Sequence, residues 1–134
     1  MRLVIKNVRI FDGLSDQTTD GHVLIEGRTI TAVDRSPIAE TDGTTVIDGA
    51  GRTLMPGMID AHAHLVGMAN SLLDLAMGSQ TLLAAKTLVG ARDTLLRGFT
   101  TVRDMAGDTA GIKTVTDARP ELGPRIYPLS LIHI

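Results

Sequence analysis

The chain changes its pattern at Pro56-Gly57, and that change limits the folds open to it. Before it lie short β-prone runs separated by turn residues. Residues 3 to 10 alternate loosely and are rich in Val and Ile, with Asp12-Gly13 supplying a tight turn after them. His22 to Glu26 and Thr29 to Asp34 flank Gly27-Arg28, which reads as a hairpin. Thr44 to Ile47 lies between Asp42-Gly43 and Asp48-Gly49, and Arg52 to Met55 follows Gly51. The first 55 residues therefore predict a small all-β layer.

Beyond Pro56 the order is strand, helix, strand. Met58 to Leu65 has strand length, and from Met68 the pattern becomes helical, with one short helix around Leu72, Leu73 and Ala76. Ser79 is the expected N-cap of a second helix, whose Leu82, Leu83, Leu88, Val89, Leu95 and Leu96 form an apolar stripe. Arg97 and Gly98 supply its terminal cation and left-handed stop. The Leu and Met stripe between residues 68 and 96 is expected to pack into the core. Phe99 to Arg103 is β-prone again, which completes the βαβ order of a parallel sheet. Gly107 to Gly111 reads as a loop, Ile112 to Ala118 as a helical turn and Arg125 to Tyr127 as the start of a third strand.

At 134 residues the chain has room for roughly one domain of about 150 residues. Hydrophobic residues at 43% and charged residues at 21% are ordinary globular usage, which argues against intrinsic disorder. A net charge of -2 without a basic run leaves nucleic-acid binding unsupported. With 2% aromatics, Leu, Ile, Val, Ala and Met must fill the core. The absence of cysteine removes thiolate nucleophiles and Cys-ligated zinc. No apolar run approaches the ~18 residues of a membrane helix, and Lys6, Asn7 and Arg9 interrupt what could have been a signal peptide's apolar region. The expectation is a soluble, cytoplasmic protein with no nucleic-acid or membrane partner.

Chemistry concentrates in Asp60-Ala61-His62-Ala63-His64. Strict alternation along a strand puts Asp60, His62 and His64 on one side, with Ala61 and Ala63 on the other for close approach of a helix. Same-face side chains about 6.5 Å apart can be bridged by a metal held at about 2.0 to 2.1 Å from each ring nitrogen. A bare His-x-His pair is a weak signal, and hydrogen-bonded strand histidines are its bland counterpart. Other polar residues carry no assigned chemistry: His22 reads as an exposed strand residue without a partner, and Asp108 and Lys113 as solvated charges, while Arg103 and Asp104 end a strand and are left open between facing the site and forming a structural ion pair. Gly49-Ala50-Gly51 lacks the strand-to-helix context of a phosphate loop.

Met55-Pro56-Gly57-Met58-Ile59-Asp60-Ala61-His62-Ala63-His64-Leu65 resembles the P-G-x-x-D-x-H-x-H signature of the metal-dependent amidohydrolase superfamily. Gly98-Phe99-Thr100-Thr101-Val102-Arg103-Asp104 and Gly123-Pro124-Arg125-Ile126 resemble the second-strand and third-strand segments of its imidazolonepropionase-like and Xaa-Pro or Xaa-Arg dipeptidase branch. Two departures set other branches aside: Leu65-Val66-Gly67 stands where dihydroorotases and dihydropyrimidinases carry Arg, and Asp60 stands where aminohydrolases and chlorohydrolases carry Asn. The resemblance implies an α/β fold, the start of a (β/α)8 TIM-type barrel over residues 56–128 preceded by a small N-terminal β-sandwich segment over residues 1–55. It implies one or two divalent cations, zinc above all, with His62 and His64 as ligands to the more buried ion. A metal-activated hydroxide then hydrolyses a C–N bond of a small-molecule amide, lactam or dipeptide. Asp60 has no ligand role to carry over and is expected to orient a neighbouring ligand. A homo-oligomeric parent is left open.

The resemblance further requires a carboxylated Lys or a Glu near strand four, His residues on strands five and six and an Asp on strand eight, none of which can be placed in this sequence. A full barrel takes ~250 residues, so the chain is expected to be a truncated N-terminal segment without catalytic residues of its own. As it stands it is expected to be inactive and poorly soluble, because an open sheet leaves strand edges uncovered. The alternative is a small structural module with at most weak metal binding. Leu129-Ser130-Leu131-Ile132-His133-Ile134 coincides with an in-frame translation of a transposon-end sequencing adapter, and residues 129–134 are expected to be a non-native tail. Re-sequencing the source locus across Pro128 should replace those six residues with a continuing reading frame; a native stop codon after Ile134 would contradict this.

Overall fold

The computed structural model describes residues 1–129, so the tail expectation falls outside the described residues except at Leu129. The chain is a mixed α/β fold of two compact units, Met1–Pro56 and Gly57–Ile134. The first carries β1 (Arg2–Ile10), β2 (Thr19–Glu26), β3 (Thr29–Asp34), β4 (Thr44–Asp48) and β5 (Thr53–Leu54) in one sheet of order β3-β2-β1-β4, with β5 also pairing β1. β1–β2 and β2–β3 are antiparallel, whereas β4 and β5 run parallel to β1. The β2–β3 connection is the expected two-residue hairpin loop, with Gly27 at φ 62° supplying the left-handed backbone that a primed turn requires. Val4, Val8, Val23 and Leu24 are the buried apolar residues of this sheet. His22 is not without a partner, since its Nδ1 accepts a long 3.4 Å hydrogen bond from the Asn7 N–H.

The second unit contains β6 (Met58–Ala63), α1 (Leu65–Ala69), α2 (Leu72–Met77), α3 (Gln80–Leu96), β7 (Phe99–Asp104), α4 (Ala110–Ala118), a 3-10 turn (Pro120–Leu122) and β8 (Arg125–Pro128). The three strands form a parallel sheet of order β6-β7-β8. Helix α2 opens on a reciprocal cap, in which the Ser71 hydroxyl accepts from the Asp74 N–H and Asp74 Oδ2 accepts from the Ser71 N–H. The Lys86 ammonium and these Ser71 hydrogen bonds hold the Asp74 carboxyl down to about 2. Helix α3 starts where the sequence predicts, with Ser79 Oγ accepting from the Leu82 N–H, and ends at Gly98 with φ 96°.

The face that α3 buries differs from the expected one. Thr87, Ala91 and Thr94 are its buried residues, whereas Val89 and Leu96 are 63% and 67% exposed. Met68, Leu72, Leu73 and Met77 are exposed as well, so the Leu and Met stripe does not form the core of this unit. The reason is that a threonine in a helix can satisfy its own hydroxyl: Thr87 and Thr94 donate to the carbonyls of Leu83 and Gly90, four residues back. Once satisfied they cost little to bury, and with Ala91 they present small side chains to the sheet. The core consists of Ala63, Leu65, Ala91, Val102, Ile112 and Ile126, with Leu88 packed against it. Close approach of α1 to α3 depends on Gly90, where an added Cβ would lie 2.9 Å from the Ala69 Cβ.

Ile126 has no exposed surface and belongs to the buried core, so Ile126→Ala should destabilise the unit by about 2–5 kcal/mol. Val89→Ala should change stability by less than about 0.5 kcal/mol beyond its helix-propensity gain. Urea unfolding of both variants checks the assignment, which fails if Val89→Ala costs as much as Ile126→Ala.

Candidate metal centre

Parallel pairing places β6 beside β7 with two register shifts, between Met58 and Ile59 and between Asp60 and Ala63, and the second decides the geometry. Asp60 pairs with Val102 and Ala63 with Asp104, so three steps along β6 match two along β7. The extra residue is a β-bulge, and it breaks strict alternation. Ala63 is buried in the core with Val102, while Ala61 lies on the opposite face with Thr101, Arg103, Arg125 and Tyr127. The expectation that Ala61 and Ala63 share one face, and that Asp60 shares the other with both histidines, is therefore corrected. The local cause is the Asp60 carboxylate, whose Oδ1 accepts the His62 N–H at 2.9 Å and holds the chain in a side-chain turn.

The bulge nevertheless brings the two imidazoles together. His62 Nε2 and His64 Nε2 are 3.1 Å apart, with ring centroids at 5.1 Å and planes inclined by 30°. Both side chains are exposed at the C-terminal end of β6. His64 follows the last residue of β6 and caps α1 with φ -133° and ψ 71°, and its carbonyl accepts the Met68 N–H at 2.8 Å. A cation at about 2.0–2.1 Å from each nitrogen fits this 3.1 Å base with an N–metal–N angle of roughly 100°, close to tetrahedral. The donor set therefore suits a divalent ion such as zinc. Among the described residues no cluster of three or more His, Cys, Asp or Glu residues is arranged to hold a metal.

Asp104 is not the partner of Arg103. It is 1% exposed; Oδ1 accepts the Leu65 N–H at 3.1 Å and Oδ2 accepts the Thr109 hydroxyl at 2.7 Å. Sequence reasoning missed this role, because the only local signal is an Asp closing a β-prone run, which also describes a surface ion pair. Lys113 is likewise not merely solvated, since it pairs with Asp117 one helical turn on. No helix among the described residues is long and apolar enough to cross a membrane.

The sequence model of the amidohydrolase family matches residues 53–131, more than half of the chain. The chain belongs to the amidohydrolase family. Over 65 residues, 48% of the chain, it is 40% identical to a dihydroorotase of Thermoanaerobacter sp. (strain X514). Over 63 residues, 47% of the chain, it is 41% identical to an adenine deaminase of Listeria monocytogenes serotype 4b (strain F2365). A crystal structure of a prolidase complexed with N-methylphosphonate-L-proline matches 96% of the chain with a TM-score of 0.85 and 31% identity. These matches span 14% of the dihydroorotase, 10% of the adenine deaminase and 31% of the prolidase chain. The dihydroorotase likeness means that Leu65-Val66-Gly67 does not by itself keep this stretch apart from that branch. The likeness over nearly the whole chain is to a prolidase, in keeping with the dipeptidase-like segments at Gly98 and Gly123.

Proposed function

We propose that residues 56–128 open the (β/α)8 barrel of a metal-dependent hydrolase that cleaves C–N bonds of small amides or dipeptides, and that residues 1–55 form one layer of the small β-sandwich preceding it. The observation that carries this reading is the 3.1 Å separation of His62 Nε2 and His64 Nε2 at the C-terminal end of a parallel strand. That end is where barrel enzymes place their chemistry. The whole-chain likeness to a prolidase favours a dipeptide or N-acyl amino acid over a nucleobase.

In this reading His62 and His64 hold a divalent cation, zinc by preference, as neutral imidazoles through Nε2, which leaves the proton of each ring on Nδ1. The cation would supply activation of water and polarisation of the scissile carbonyl. The chain's own residues fix the geometry. Asp60 accepts the His62 N–H, so in this reading its influence on the ligand runs by way of the backbone rather than the ring. Ala63 and Leu65, both 2% exposed, anchor the peptide on either side of His64 in the core. The remaining ligands and the proton-transferring carboxylate would come from later barrel strands, together with the loops that select the substrate.

The same nitrogen separation also suits a hydrogen bond from a protonated Nε2 of one ring to the other, the arrangement of a non-catalytic module. Metal analysis separates the two. In the full-length protein, His62→Ala combined with His64→Ala should bring bound zinc to background and abolish dipeptide hydrolysis while leaving the circular dichroism spectrum unchanged. Stoichiometric zinc and metal-dependent turnover in that double variant would refute the ligand assignment.

A further inference from the structure

Asp104 is a carboxylate taken almost wholly out of water, and the proposed chemistry does not use it. Burying such a group is strongly unfavourable unless its oxygens are satisfied, so its surroundings show what it is for. Oδ2 is pinned by the Thr109 hydroxyl, itself 1% exposed, immediately before α4. With that oxygen fixed, Oδ1 is aimed at the N–H of Leu65, the residue after His64. The backbone around Asp104 is tied to β6 and to the residue after β8: the Met105 N–H donates to the Ala63 carbonyl at 2.8 Å, and the Asp104 carbonyl accepts the Leu129 N–H at 2.8 Å. Asp104 therefore sits on a rigid three-strand frame.

The peptide unit between His64 and Leu65 is held at both ends. Its N–H goes to Asp104 and its carbonyl accepts from Met68. That unit sets the ψ of His64, which at 71° belongs to neither helix nor regular strand and so is not dictated by the elements it joins. The orientation of this peptide plane in turn controls where the His64 Cα–Cβ bond points, and hence where Nε2 lies relative to His62. The Asp60 carboxylate does the same for His62 through the His62 N–H. Each histidine of the pair thus has its main chain held by a different carboxylate, one local in sequence and one from the adjacent strand.

We propose that Asp104 is a positioning residue for His64: its carboxylate, braced by Thr109, fixes the His64–Leu65 peptide and so keeps the two imidazole nitrogens at metal-chelating separation. This rests on the reading of His62 and His64 as metal ligands. Partners that orient metal ligands are typically worth 10–100-fold in metal affinity, and Asp104 falls in that range by this geometry. Asparagine at this position can accept from the Leu65 N–H through its amide oxygen and donate its amide N–H to Thr109, whose hydroxyl rotates to accept. Alanine can do neither.

The test is zinc affinity of the full-length protein, measured by competition with a chromophoric chelator on folded protein, alongside thermal melting of the metal-free form. Asp104→Ala should weaken zinc about tenfold or more, and Asp104→Asn should restore affinity to within about threefold of the parent even if its melting temperature stays depressed. Thr109→Val, which removes the brace and leaves Asp104 in place, should weaken zinc about threefold and decides the matter if Asp104→Ala does not fold. Parent-like zinc affinity in Asp104→Ala, or in Thr109→Val where the alanine variant is unfolded, would overturn the proposal and leave Asp104 a purely structural group. His62→Ala in the same assay reports separately on the ligand reading: if it too binds zinc like the parent, the metal assignment itself has failed.

Discussion

One extra residue in β6 between Asp60 and Ala63, set against Val102 to Asp104 of β7, governs the arrangement of everything at this end of the sheet. Without the bulge between Asp60 and Ala63, pairing to Val102 and Asp104 would carry Ala63 out of the core and turn the following residues to the other face. With it, Ala63 and Leu65 pack beside Val102 and Ile126, and the two histidines flanking Ala63 meet at their Nε2 atoms. The irregularity is held by a side-chain hydrogen bond at the bulge and by main-chain and side-chain bonds to the strand alongside.

Much of the fold was legible because its signals are local. Gly27 in a two-residue hairpin loop, Ser79 ahead of a helical stripe and Gly98 behind it each act within a few residues, and all three appear where the sequence places them. The β-prone runs at 99–103 and 125–127 likewise mark two strands of a parallel sheet. Tertiary partners decide the rest. Which face of α3 turns inward depends on what the sheet admits, and the sheet takes Thr87, Ala91 and Thr94 rather than the larger leucines. Apolar periodicity cannot register that two threonines have satisfied their hydroxyls within their own helix.

The candidate site was half legible for the same reason. His62 and His64 stand two apart on a β-prone run, and their proximity survives the correction of the face pattern. The place of Asp60 did not, because a bulge is a property of a strand pair and is invisible in one strand. Asp104 lies forty residues beyond His64, and only the parallel register beside Ala63 brings its carboxylate to the Leu65 N–H. Charge and spacing left it open between facing the site and forming a structural ion pair; burial and Thr109 show it to be part of the frame.

Membership of the amidohydrolase family and the likeness to a prolidase frame the chemistry, but the metal reading stands on the two imidazoles. Anomalous diffraction at the zinc edge from crystals of the full-length protein tests it most directly. A single peak about 2.0–2.1 Å from both His62 Nε2 and His64 Nε2 is the predicted result. Zinc bound elsewhere in the same crystals, with the two nitrogens still hydrogen-bonded to each other, would contradict it.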